Sequence, residues 1–294
     1  MSESKGTFFL IVYRSNKSTI LVIIPLLLIS LIAGIVYSSS ETLFYLFSSS
    51  DEEYSFQILD GLILVFITIL SAFLLVLAIR KNLVKLLKII YSIIFLVSSV
   101  SIFWVHGYLL ELSFSLQSLW LEIIFAIVGL IVGILTIYVI ILEKTKPLLK
   151  NTLVFTLGLV MGIVFGTVFP LVSFLSLLVF VSLFDIYSVF RGPISKLLKK
   201  INLSLSLDET VFQKPSIAIG IGDFVFYSSL VTFTTKELGL IFGFIAIVGI
   251  LIGIKMTENM LQRYGKFPGL PIPIFLSLFL LLIGWGVSTY LAPI

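Results

Sequence analysis

Cysteine is absent, histidine occurs once, and charge is scarce: 19 basic and 15 acidic side chains make up 12% of the 294 residues. Without cysteine there is no disulfide framework, no thiol nucleophile and no cysteine-ligated zinc or iron–sulfur centre. His106 alone cannot furnish a histidine-rich metal site, so neither metal nor cofactor is expected. The net charge of +4 is small, and its one-sided placement along the chain gives no reason to expect nucleic acid as a partner. What the sequence has instead is apolar, with 59% hydrophobic residues and a mean hydropathy of +1.22. A soluble domain is about one quarter charged, and no single core would hide this much apolar surface. The chain reads as an all-α integral membrane protein whose medium is the lipid bilayer.

Crossing about 30 Å of hydrocarbon takes roughly 20 apolar residues. Runs of that order occur nine times, at approximately 19–37, 61–79, 89–105, 123–142, 152–169, 171–190, 217–233, 238–254 and 272–292. Only Pro170 separates the fifth from the sixth, and one helix covering both would far overshoot the bilayer, so a break is expected there. The expected architecture is nine transmembrane helices in a single membrane domain over 1–294, with a five-helix part, 1–169, followed by a four-helix part, 170–294. Basic residues precede the first span as in a cleaved signal peptide, but the apolar run is too long for an h-region and no A-x-A site follows.

Lys and Arg are retained on the cytoplasmic side. The N-terminal tail (Lys5, Arg14, Lys17) and alternate loops (Arg80 to Lys88, Lys144 to Lys150, Arg191 to Lys214, Lys255 to Lys266) carry every basic residue except Lys236. The first loop has acids alone: Glu41, Asp51, Glu52, Glu53 and Asp60. The expected topology is N-terminus cytoplasmic and C-terminus extracytoplasmic, in a multi-pass protein of the cell membrane.

Several features call for no chemistry. Gly129/Gly133, Gly158/Gly162/Gly166 and Gly249/Gly253 repeat at four-residue spacing, which lets helix backbones touch. Trp104 and Trp120 fit an interfacial aromatic belt, and His106 reads as an interfacial polar residue at the outer end of the third span. The run from Thr7 to Arg14 reads as a segment on the inner membrane surface.

Two acids do call for chemistry. An aspartate inside the bilayer costs about 2.5–3.5 kcal/mol on insertion scales and marks a functional site by default. Asp185 lies in the sixth span, six residues before Arg191, and Asp223 in the seventh, six residues after Ile217. At about 1.5 Å per residue both carboxyls lie roughly 9 Å below the cytoplasmic surface, on consecutive antiparallel helices that are expected to be neighbours. Two carboxyls brought close in a low-dielectric site share one proton. The ionised member can then activate a water while the protonated one polarises an amide carbonyl. Gly220-Ile221-Gly222-Asp223 strips side chains from the backbone before the second acid, and Pro268-Gly269-Leu270-Pro271 breaks the start of the ninth span.

Phe184-Asp185, then Gly220 to Ser228, then Pro268 to Pro271, in that order on spans six, seven and nine, resembles the presenilin and signal peptide peptidase family of intramembrane aspartyl proteases. The likeness covers roughly 170–294, and the span count extends it to the whole chain. It implies that Asp185 and Asp223 are the catalytic pair. It also implies that Phe184, Gly220, Gly222, Pro268, Gly269, Leu270 and Pro271 help to form the site and engage substrate. Phe184 stands where the family has tyrosine, and Gly269 where its P-A-L motif has alanine. The implied substrates are transmembrane helices of membrane proteins or remnant signal peptides, cut without cofactor or accessory subunit.

Cleaving a helix requires unwinding it, and an added strand would satisfy the freed backbone groups. Leu203-Ser204-Leu205-Ser206-Leu207 alternates as a strand does, so part of 203–216 is a candidate partner for unwound substrate. A secondary transporter would also hold buried acids and broken helices, but with two symmetric halves and acids at mid-depth. A prepilin-type peptidase would have fewer spans and no proline motif, and a catalytically silent scaffold would share the whole pattern.

Overall fold

A computed structural model describes residues 11–13, 18–38, 84–116, 119–142, 147–191, 217–219, 221–264 and 267–291, with isolated positions at 62, 63, 66 and 70. Among the described residues the chain forms eight helices and one two-stranded sheet. The helices are α1 Ser18–Tyr37, α2 Val84–Phe114, α3 Leu119–Leu142, α4 Pro147–Val168, α5 Leu171–Phe190, α6 Ile221–Leu238, α7 Leu240–Tyr264 and α8 Pro271–Leu291. Strands β1 (Ile11–Tyr13) and β2 (Ile217–Ile219) pair antiparallel, Ile11 opposite Ile219 and Tyr13 opposite Ile217.

Eight of the nine expected spans coincide with these helices. Of the second, only Leu62, Ile63, Phe66 and Leu70 are described, all helical and exposed. Five helices contain stretches long and apolar enough to cross a membrane: Ser92–Phe114, Leu119–Tyr138, Leu171–Phe190, Leu240–Tyr264 and Pro271–Thr289. Their outward faces are apolar, as at Ile127, Ile131 and Ile134 on α3, each more than half exposed. The protein is a multi-pass membrane protein.

Proline and glycine set the boundaries. Pro170 lies in extended conformation (φ −66°, ψ 156°) and caps α5, whose first bond runs from the Phe174 N–H to the Pro170 carbonyl at 2.9 Å. Pro147 and Pro271 occupy first helical positions, where a missing N–H costs nothing. Gly239, at φ +96°, reverses the chain between α6 and α7 in a conformation that a side chain would strain.

Two expectations are corrected. The seventh span does not begin at Ile217: the β-branched residues Ile217 and Ile219 are in β2, paired with Ile11–Tyr13, and the helix starts at Ile221. Part of the run expected to lie on the membrane surface is therefore a strand. His106 is not interfacial either, being 6% exposed. Its Nε2–H donates to the Val160 carbonyl at 3.1 Å, which leaves Nδ1 to accept the Tyr37 hydroxyl at 2.7 Å, so one neutral ring ties α1, α2 and α4 together.

The glycine repeats pack helices. Gly129 and Gly133 lie against Ser99 and Leu96 of α2, and the Ser99 hydroxyl donates to the Gly129 carbonyl at 2.8 Å. Gly162 and Gly166 admit the backbone of α6 at Val225 and Ser229. Gly249 and Gly253 admit α8 at Ser277 and Pro273, and Ser277 donates to the Ala246 carbonyl at 3.0 Å. With lipid outside, close backbone approach and buried hydroxyl bonds hold such helices together. Helix α6 is the centre, packed by α1, α4 and α7, with Phe224, Leu230 and Val231 fully buried. Its enclosure explains its polarity: Ser228, Ser229, Thr232, Thr234 and Thr235 all donate to backbone carbonyls, Thr232 across to Ser30 of α1 at 3.1 Å.

Candidate functional site

Asp185 projects from the last turns of α5, and Asp223 from the first turn of α6, two residues into the helix rather than six into a span. Free N–H groups and the helix dipole favour a carboxylate at such a start. The two helices are not packed along one another; α5 makes its principal described contact with α8. The acids are brought together instead by the turn that precedes α8.

That turn exists because of its prolines. Extending α8 backwards would require Pro271 and Pro273 to donate to the carbonyls of Phe267 and Gly269, and neither has an N–H. Phe267–Leu270 is accordingly non-helical, and the α8 ladder opens with Ile274 N–H to the Leu270 carbonyl at 3.2 Å. The freed groups of the Gly269–Leu270 peptide turn to the site. The Leu270 N–H donates to Asp185 Oδ2 at 3.1 Å, and the Gly269 carbonyl accepts the Tyr227 hydroxyl at 2.9 Å. Gly269 also lies against the other acid: a methyl group there would overlap Asp223 Oδ2 and sit 2.9 Å from its Cγ. Glycine in place of the alanine of P-A-L thus leaves room for the Asp223 carboxyl.

The remaining expected residues divide. Leu270, 2% exposed, joins the core beside Ile274, and Pro268 and Pro271 are buried, so the turn is anchored by its apolar side chains. An edge-on contact between Phe190 and Phe267, centroids 6.3 Å apart, fastens the end of α5 to the approach of the turn. Phe184 is half-buried on α5. Gly222 is exposed, and among the described residues a methyl added there would meet nothing within 4 Å, so no described helix uses the space. Gly220 and 203–216, including the alternating Leu203 to Leu207, lie outside the described residues.

Tyr227 belongs to the stretch that carries the family resemblance, but the sequence assigned it no role, and it gave no sign of two serines. Tyr227 is one helical turn beyond Asp223 on the same face, a signal that i, i+4 spacing could have given. Ser182 and Ser188 flank Asp185 by three residues on either side, are buried, and their hydroxyls have no hydrogen-bond partner among the described residues. No group of three or more His, Cys, Asp or Glu among the described residues could hold a metal.

The presenilin family model matches residues 206–290, a stretch that takes in Asp223, Tyr227 and the Pro268–Pro271 turn but stops short of Asp185. A solved structure described as a presenilin family intramembrane aspartate protease superposes with a TM-score of 0.57, over 92% of this chain and 98% of that one, at 19% identity. The chain is presenilin-like in fold and in its C-terminal sequence. No curated protein matches it.

Proposed function

We propose that the chain is an intramembrane aspartyl endopeptidase, with Asp185 and Asp223 as its catalytic dyad. The observation that carries this reading is the convergence of two acids, from helices not packed along one another, on a single peptide of the Pro268–Pro271 turn. The presenilin likeness supports it over a transporter.

The dyad holds one proton between two carboxyls in a lipid-shielded site. A water between them loses a proton to the ionised acid and attacks the scissile carbonyl, which the protonated acid polarises. Collapse of the tetrahedral intermediate reverses the roles, with the proton passing to the leaving nitrogen. Phe184, Gly220, Gly222, Pro268, Gly269, Leu270 and Pro271 form the surroundings of this step, and the open space at Gly222 lets an unwound substrate backbone approach Asp223.

The substrates are membrane proteins presenting a transmembrane helix with its N-terminus outside, or remnant signal peptides, in the cell membrane, cut by a nine-span enzyme whose own N-terminus is cytoplasmic. The four C-terminal helices carry the chemistry, and neither cofactor nor accessory subunit takes part. The test is cleavage of a transmembrane peptide in detergent by the parent, Asp185→Asn and Asp223→Asn. Each variant is expected to lose roughly 10²–10⁴-fold in kcat, the usual worth of acid–base catalysis; a neutralised variant that cuts as fast as the parent ends the proposal.

A further inference from the structure

The Gly269–Leu270 peptide is one rigid plane held at both ends. Its carbonyl accepts from Tyr227 at 2.9 Å and its N–H donates to Asp185 at 3.1 Å, so α6 reaches the acid of α5 through one intervening amide. The carbonyl depends on this arrangement. In a continuous helix its donor would be residue 273, which is proline, and in hydrocarbon an unsatisfied carbonyl costs several kcal/mol. The phenol is well placed to replace that donor, since Tyr227 is 2% exposed and its ring is fixed by packing, leaving the hydroxyl little freedom to point elsewhere. Hydrogen bonds in series polarise one another at low dielectric, so a donor on the carbonyl strengthens the N–H at the other end of the same amide.

We propose that Tyr227 is a positioning residue of the dyad: its hydroxyl fixes the Gly269–Leu270 peptide in the orientation that presents the Leu270 N–H to Asp185. Its hydroxyl bonds the Gly269 carbonyl and acts on Asp185 through that amide. Asp223 and Tyr227 thereby belong to one turn of α6, the first bearing an acid and the second placing the other acid's hydrogen-bond donor. The catalytic consequence rests on the protease reading, whereas the hold on the turn does not.

The experiment compares the parent, Tyr227→Phe and a chain with 4-aminophenylalanine at 227, which keeps an N–H donor at the ring's end. Two readouts are taken in the same detergent: kcat and KM for a transmembrane peptide, and hydrogen–deuterium exchange at Leu270. Tyr227→Phe is expected to exchange the Leu270 amide roughly tenfold faster and to lower kcat roughly tenfold with KM unchanged, one hydrogen bond's worth. The amino variant is expected to recover both. Parent-like exchange at Leu270 in a folded Tyr227→Phe protein overturns the inference, as does a rise in KM at unchanged kcat. Should the parent itself fail to cut, the protease reading falls, and Leu270 exchange in the three proteins still decides whether Tyr227 holds the turn. If Tyr227→Phe does not fold, the amino variant decides alone: parent-like protection and kcat support the role, and loss of both in a folded protein refutes it.

Discussion

Gly162→Ala is the sharpest test of how α4 and α6 meet. The added methyl would lie 2.5 Å from the Val225 carbonyl oxygen and 2.9 Å from Ser228 Cβ, and would overlap the Ser228 hydroxyl. The hydroxyl can rotate at the loss of its 3.0 Å bond to that same carbonyl, but the carbonyl belongs to a helix and cannot yield alone. Ordinary carbon contacts begin near 3.5 Å, so α4 has to retreat by about 0.6–1 Å along the contact. Overpacking of this kind costs about 1–3 kcal/mol. Val225 is two residues from Asp223, so the displacement reaches the first turn of α6, and a misplacement near 1 Å can lower a rate by about 100-fold. Reversible unfolding in mixed micelles gives the stability change, and peptide cleavage per folded molecule gives the second. Adding Ser228→Ala should recover only part of the loss, because the carbonyl obstacle persists. Gly222→Ala is the control, with nothing within 4 Å of the new methyl and parent stability expected. Parent-like stability in Gly162→Ala, or equal damage from Gly222→Ala, would refute the close approach of the two helices.

Two further predictions follow from buried polar groups. His106→Leu removes the ring's two bonds, to the Tyr37 hydroxyl and to the Val160 carbonyl, and should cost about 1–3 kcal/mol in the same unfolding assay while leaving the kcat of the folded fraction alone. Ser182→Ala removes a buried hydroxyl that has no partner among the described residues, so stability should hold or rise by about 1 kcal/mol; a clear loss would show that the hydroxyl is engaged.

The spans were legible because lipid demands long apolar runs, and α5 begins and ends where the sequence placed it, at Leu171 and Phe190. Helix α6 was harder to place. The apolar residues Ile217–Ile219 count toward a span in any hydropathy walk, yet a strand partner at Ile11–Tyr13, some 200 residues away in sequence, takes them out of the helix. The hydroxyl-rich stretch from Ser228 to Thr235 looks unsuited to lipid until the helices that surround it are known. His106 was misjudged for a related reason, as depth along a span says nothing about which neighbour a side chain meets. Asp185, Asp223 and the proline motif were visible as residue types in unlikely places, but the link between them was not. It depends on a carbonyl that loses its helical donor to Pro273 and finds one at Tyr227, a long-range pairing that no local pattern encodes.

The same link assigns a task to the last helix. Since α5 is packed on α8 and not along α6, the geometry between the acids is set by where α8 starts. That start is fixed from α7: a methyl on Gly253 would lie 2.7 Å from the Pro273 nitrogen and 3.1 Å from the Ile272 carbonyl carbon, so glycine there is what allows α8 to open hard against α7. Leu270 in the core holds the turn from below, and the Phe190 to Phe267 contact holds it from the side of α5. A side chain at Gly253, which touches neither acid, would push the turn away from α7 and alter the approach of the Leu270 N–H to Asp185. Gly253 and Gly269 therefore act on the site in different ways, one by setting where the turn lies and the other by leaving room for the Asp223 carboxyl against it.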